Sequence, residues 1–214
     1  METPEYLVDR YLSEGYTTVV LTNHINNATF RSKDYFNFLS ENSLPDNWNS
    51  KMDYYLSDYK KMKEYADGKL NVLLGVELRL IASNVNEYLI YGFTEEWIRN
   101  SEAFLTMRVK ELSKYVRESN YRIYQAHPFR NDMTVIDPSY VDGYEVYNGN
   151  LGHDSRNSIA EAYAKLYDKP GISGTDFHQR EKKIRAGIIT NEPITDNEKL
   201  LDILTNQNYE LIKD

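Results

Sequence analysis

Cysteine is absent from this chain of 214 residues, so neither a disulfide nor a thiolate metal ligand can contribute to it. Proline (6) and glycine (10) are few, and no low-complexity or fixed-period tract accompanies them, so the chain falls in no special compositional class. No apolar run approaches the roughly 20 residues needed to cross a bilayer, and the N-terminus is not signal-like. No membrane association is expected, and the expected location is cytoplasmic. Positive charge is also short: Lys and Arg number 25 against 33 Asp and Glu, a net charge of −8. No Lys/Arg-rich stripe stands out, so nucleic acid is not an expected partner.

Hydrophobic residues at 41% and charged residues at 27% fit a soluble globular protein, and the length suits one domain over residues 1–214. Thr3 and Pro4 make an N-cap and first helical position, and Gly15 stops that helix. A buried strand follows through Val19 and Val20 to Asn23. Residues 49–67 read as a helix, with Met52, Tyr55, Leu56, Tyr59 and Met62 on one face. Further strands are expected at 71–76, 88–93, 121–126, 143–147, 171–175, 186–190 and 209–212, and further helices at 105–119, 155–167 and 196–206. This alternation implies parallel strands with helical crossovers, and the apolar strands read as buried on both faces. Residues 26–49 are the least regular. They are expected to form a long, partly helical excursion, a lid over one end.

All four histidines lie at or just beyond strand ends: His24, His127, His153 and His178. Glu77 and Asp176 occupy equivalent places. In a parallel α/β fold the carboxyl ends of the strands share one face, where sites are built. His24, Glu77, His127, Asp176 and His178 are therefore expected to converge. Imidazoles mixed with carboxylates suit Zn²⁺, Mn²⁺ or Fe²⁺, and close ions could clamp a phosphate ester and supply hydroxide near neutral pH. Taken singly, a His after a strand is a loop residue or cap, and Asp176 could cap a helix. The five together carry the reading.

In order along the chain, LTNH (21–24), GVE (75–77), AHPFR (126–130), EVYNGN (145–150) and SGTDFH (173–178) resemble the motifs of the polymerase-and-histidinol-phosphatase (PHP) family, over about residues 4–204. The resemblance implies a distorted (β/α)7 TIM-like barrel with up to three divalent metals at the strand ends, hydrolysing phosphoesters. Residue by residue it implies metal ligation by His24, Glu77, His127, Asp176 and His178, with Glu77 bridging and Glu77, Asp176 and His178 catalytic. The family opens with a strand carrying H-x-H, which this chain does not contain. A barrel missing its first strand and holding fewer metals is therefore expected. Asn23 stands where the family has an acid, and the strand reading EYLIYGF supplies no histidine. The second-metal position would then depend on Glu77 and His127 alone.

Arg130 is a candidate phosphate contact, or a surface ion pair. His153 and Arg156 follow the EVYNGN strand and are further candidates for substrate binding, though a helix cap at Asp154 or Ser155 competes for that turn. Asn148 and Asn150 could orient ligands. The leading expectation is a hydrolase, a metal-dependent phosphoesterase taking a small-molecule phosphomonoester through a metal-bound hydroxide. The alternative is a truncated or degenerate PHP-like module without catalysis. A homo-oligomer, covering exposed strand edges, is also considered.

Overall fold

The computed structural model describes residues 2–81, 85–178, 184 and 186–213. Helix α1 (Pro4–Ser13) begins as its capping sequence requires, with the Thr3 hydroxyl accepting the Tyr6 N–H. Strands β1 (Thr18–Leu21) and β2 (His24–Ile25) follow. Residues 26–49 differ from the expected lid. A 3₁₀ turn at Thr29–Arg31 and helix α2 (Lys33–Glu41) bury Phe30, Tyr35 and Leu39 against the start of α3 (Trp48–Ala66). Phe30, Tyr35, Trp48 and Phe104 form a chain of edge-to-face ring contacts, which ties this segment into the core.

The remaining elements are β3 (Asn71–Arg79), β4 (Glu87–Tyr91), α4 (Glu95–Arg99), α5 (Val109–Glu118), β5 (Arg122–Gln125), β6 (Gly143–Asn148), α6 (Asn157–Leu166), β7 (Gly171–Gly174), β8 (Ala186–Ile189), α7 (Asn197–Asn206) and β9 (Glu210–Lys213). One sheet runs in the order β1-β3-β4-β5-β6-β7, with β2 also paired to β3. It is parallel except for β4, which runs antiparallel to both of its neighbours. The expectation of uniformly parallel strands is corrected there. It is corrected again at β8 and β9, which form a separate antiparallel pair.

The sheet is a curled half-barrel within a mixed α/β fold. In the described residues β1 and β7 are its two edges, and side-chain bonds rather than a ladder link them to the β8–β9 pair. Tyr16 Oη, just before β1, donates to the Ala186 carbonyl of β8 (2.8 Å), and Thr18 Oγ1 of β1 donates to the Ile194 carbonyl in the segment after β8 (2.7 Å). Ser173 Oγ accepts from the Gly187 N–H (3.0 Å) and donates to the Ile212 carbonyl (2.6 Å). Both faces of the sheet are covered, as the apolar strands predict. Val72, Leu74, Val76 and Leu78 of β3 join the main core with Met52, Leu56 and Met62 of α3. Leu73, Leu89, Tyr124 and Ile172 on the concave face pack with Leu200, Ile203 and Leu204 of α7.

Candidate metal centre

Side chains alternate across a strand, so the parity of each strand decides which polar groups share the concave face. In β3 the even positions 72–78 enter the outer core, leaving Leu73 and Glu77 on the concave side. In β4, Tyr88 and Ile90 face outward and Leu89 inward, so Glu87 shares the inward parity. In β6, Tyr144 and Val146 face outward, and Glu145 lies between them. Because β4 is antiparallel, its first residue lies beside the carboxyl ends of the parallel strands. The register pairs Glu87 with Arg79, and Glu77 with His24.

The result is a cluster. Glu77 Oε1 lies 3.2 Å from His127 Nε2, and Glu77 Oε2 lies 3.5 Å from His24 Nδ1. Glu87, 1% exposed, spans the same two imidazoles, with Oε1 3.6 Å from His24 Nδ1 and Oε2 3.4 Å from His127 Nε2. Arg79 donates to Glu87 Oε1 (2.5 Å), and Arg130 lies 3.6 Å from Oε2. Beside this group, Asp176 Oδ1 is 3.1 Å from His178 Nδ1 and Oδ2 is 3.0 Å from His153 Nε2. Asn148 and Asn150 also donate to Asp176 Oδ2, at 3.1 and 3.3 Å. The His24–His178 and His127–His153 rings stand 5.8 and 6.0 Å apart, so the four histidines of the chain surround one group of acids. A cavity of about 1070 Å³ opens onto His24, Glu77, His127, Asp176 and His178.

Burial pushes the Glu77 carboxyl up to about 8, with Glu87 and Asp176 adding to the shift and His24 opposing it. Glu145 is pushed up to about 7 by burial, against the pull of His127. Asp176 behaves oppositely. Burial raises it, but the hydrogen bond and charge of His178, the charge of His127 and the Asn148 amide outweigh that and hold it well below the usual range. His178 rises to about 9 on its bond to Asp176. Crowded acids of this kind call for a proton or a cation.

The donors fit a divalent ion. One atom from each of His24, Glu77 and Glu87 lies within 4.8 Å of the other two. The set of one imidazole and two carboxylates suits a borderline or hard ion. Moreover, the buried Nδ1 atoms of His24 and His127 have no hydrogen-bond partner among the described residues, and an unpaired buried polar atom is rare without a ligand or a functional reason. The backbone supports the same reading. His127 (φ 26°) and Asp176 (φ 44°) both sit at positive φ without being glycine, and such strain concentrates at functional sites.

The five residues expected at strand ends are thus brought together, with Arg130 and His153 beside them. Arg156 is not aimed at them: its guanidinium donates to the Phe129 carbonyl (2.6 Å) and to Asn131, pinning the loop after His127. Glu77 is not a strand-end residue, since β3 continues to Arg79. Nor do Glu77 and His127 stand alone: β4 brings no histidine, but it brings Glu87 to both of them. A parallel β4 would have carried its first residue to the opposite end, and only the strand direction reveals the acid. Sequence reasoning singles out neither Arg79 nor Glu145. Glu145 stands inside a motif, but only its burial sets it apart.

No protein-family model and no curated protein matches the chain. A solved structure from Bifidobacterium adolescentis, provisionally named a metal-dependent phosphoesterase, aligns with it at a TM-score of 0.55 and 14% identity, covering 96% of this chain and 91% of that one. What the two share is a fold. The alignment spans nearly the whole of both chains rather than one motif. At 14% identity the similarity says nothing of individual site residues, so the cluster stands on its own geometry.

Proposed function

We propose that this protein is a metal-dependent phosphoesterase of the PHP type that hydrolyses phosphomonoesters. The observation that carries the proposal is the convergence of four histidines with Glu77, Glu87 and Asp176 at one end of the curled sheet. His24, Glu77 and Glu87 would hold a divalent ion, and His127 borders them. A bound ion of this class stabilises phosphoryl oxygens as a Lewis acid and lowers the pKa of water. Arg130, 27% exposed beside Glu87, would bind phosphoryl oxygens. Asp176 holds the imidazoles of His153 and His178, and His178, 51% exposed, forms the solvent side of the pocket.

The test is hydrolysis of p-nitrophenyl phosphate by protein loaded with Mn²⁺ or Zn²⁺. Activity should disappear with a chelator and fall by at least about 100-fold in Glu77→Gln, because an amide is a poor substitute for an ionised ligand. A protein that binds the ion but turns over no faster than Glu77→Gln would refute the assignment. The Arg79–Glu87 contact favours a second reading, in which arginine charge already balances the acids and the domain is a binding module without metal. Elemental analysis finding no ion in protein purified without chelator would support that reading.

A further inference from the structure

Glu145 is 4% exposed, and among the described residues no Lys or Arg lies within ion-pair distance of it. An ionised carboxylate is costly to bury without a cation, so such a group is kept for the bonds it accepts. Both bonds fall on Oε2: the backbone N–H of His127 (2.8 Å) and the side-chain amide of Asn148 (3.1 Å). The same Asn148 nitrogen donates to Asp176 Oδ2 (3.1 Å). One oxygen therefore joins the turn after β5 to the turn after β7. Each turn carries a cluster residue with positive φ, 26° at His127 and 44° at Asp176. On the other side, Gly174 leaves room for the carboxylate, since a Cβ there would collide with Glu145 Oε1.

We propose that Glu145 is a positioning residue: through Oε2 it holds the His127 backbone in its strained conformation, and through Asn148 it sets Asp176, so that both turns present their side chains to the metal cluster. The inference rests on the metal-centre reading for its purpose, but the brace itself is a matter of backbone geometry. It predicts that the bond acceptor matters and the negative charge does not. A glutamine oxygen can accept both bonds, while alanine can accept neither.

Two measurements separate the inference from the function it serves. The first is hydrogen exchange at the His127 amide without metal. That amide should exchange slowly in the wild type and in Glu145→Gln, and fast in Glu145→Ala. Fast exchange in the wild-type protein overturns the brace even if the alanine variant does not fold, and so does an unchanged slow rate in Glu145→Ala. The second is Mn²⁺ affinity by calorimetry. Glu145→Ala should bind at least about tenfold more weakly than wild type, and Glu145→Gln within about threefold of it. Equal affinity in Glu145→Ala, or equal weakness in Glu145→Gln, overturns the proposal. A wild-type protein that binds no ion refutes the metal-centre reading instead, and the exchange rates then judge the brace alone.

Discussion

Glu87 meets the imidazoles of His24 and His127 and the guanidinium of Arg79, each through a carboxylate oxygen. An ion and an arginine would share this carboxylate, so a substitution there discriminates between its partners. Glu87→Gln keeps the shape and the two-atom fork but removes the charge. If Glu87 serves an ion, Mn²⁺ binding measured by calorimetry should weaken by about 10- to 100-fold. Undiminished affinity would assign the carboxylate to Arg79 and Arg130 alone. Arg156 illustrates how a residue can sit beside the right motif and serve a different purpose. It lies at positive φ (49°) at the start of α6 and reaches back to the Phe129 carbonyl, so it fastens the His127 loop.

At the level of elements, the close approach of β5, β6 and the entry to β7 depends on Gly143. A Cβ at this position would collide with the Pro170 carbonyl and lie 2.5 Å from Tyr124 Cε1. The backbone atom cannot give way without moving the β6–β7 pair, in which the Tyr144 N–H donates to Pro170 (3.0 Å). Gly143→Ala should therefore destabilise the fold by about 1–3 kcal/mol, read as a fall of several degrees in the calorimetric melting temperature. A melting temperature equal to wild type would show that the strands accommodate the methyl group. The helix α7 is a second such element. Leu200, Ile203 and Leu204 cover the concave face next to Leu73 and Ile172. Leu204→Ala should cost about 2–5 kcal/mol by the same measurement. A much smaller loss would mean that the α7 layer is loosely packed.

Across the whole molecule, Glu77 and Glu145 oppose folding in the absence of a cation, because burial disfavours their charged forms, whereas Asp176 is held ionised by His178 and the amide of Asn148. A ligand that binds only the native state adds RT ln(1 + [L]/Kd) to stability. Mn²⁺ or Zn²⁺ at about 100 times its Kd should raise the melting temperature by roughly 5–10 °C, reversed by chelator. The same ion should leave the Glu77→Gln variant nearly unmoved. An equal rise in both proteins would point to ion binding away from this cluster.

Much of this arrangement is legible in the order of residues alone. The cap at Thr3, the 3.6-residue stripe of α3 and the apolar runs of β3 and β5 are local signals, and each of these elements forms within a few residues of its expected place. The convergence of His24, Glu77, His127, Asp176 and His178 follows from the same signals, since strands of one direction gather their ends on one side. The direction of β4 is not legible. A five-residue strand has the same alternation read forwards or backwards, so nothing in EYLIY states which end meets the cluster, and Glu87 enters the site only through the ladder with β3 and β5. Glu145 and Arg156 are alike in this. Their partners lie 18 and 27 residues away, and no local pattern encodes which buried oxygen will face which amide. Periodicity and capping act over one or two turns of chain and are written in the order of residues, whereas strand direction, register and buried hydrogen bonds are settled by which distant surfaces can pack together with every polar group paired.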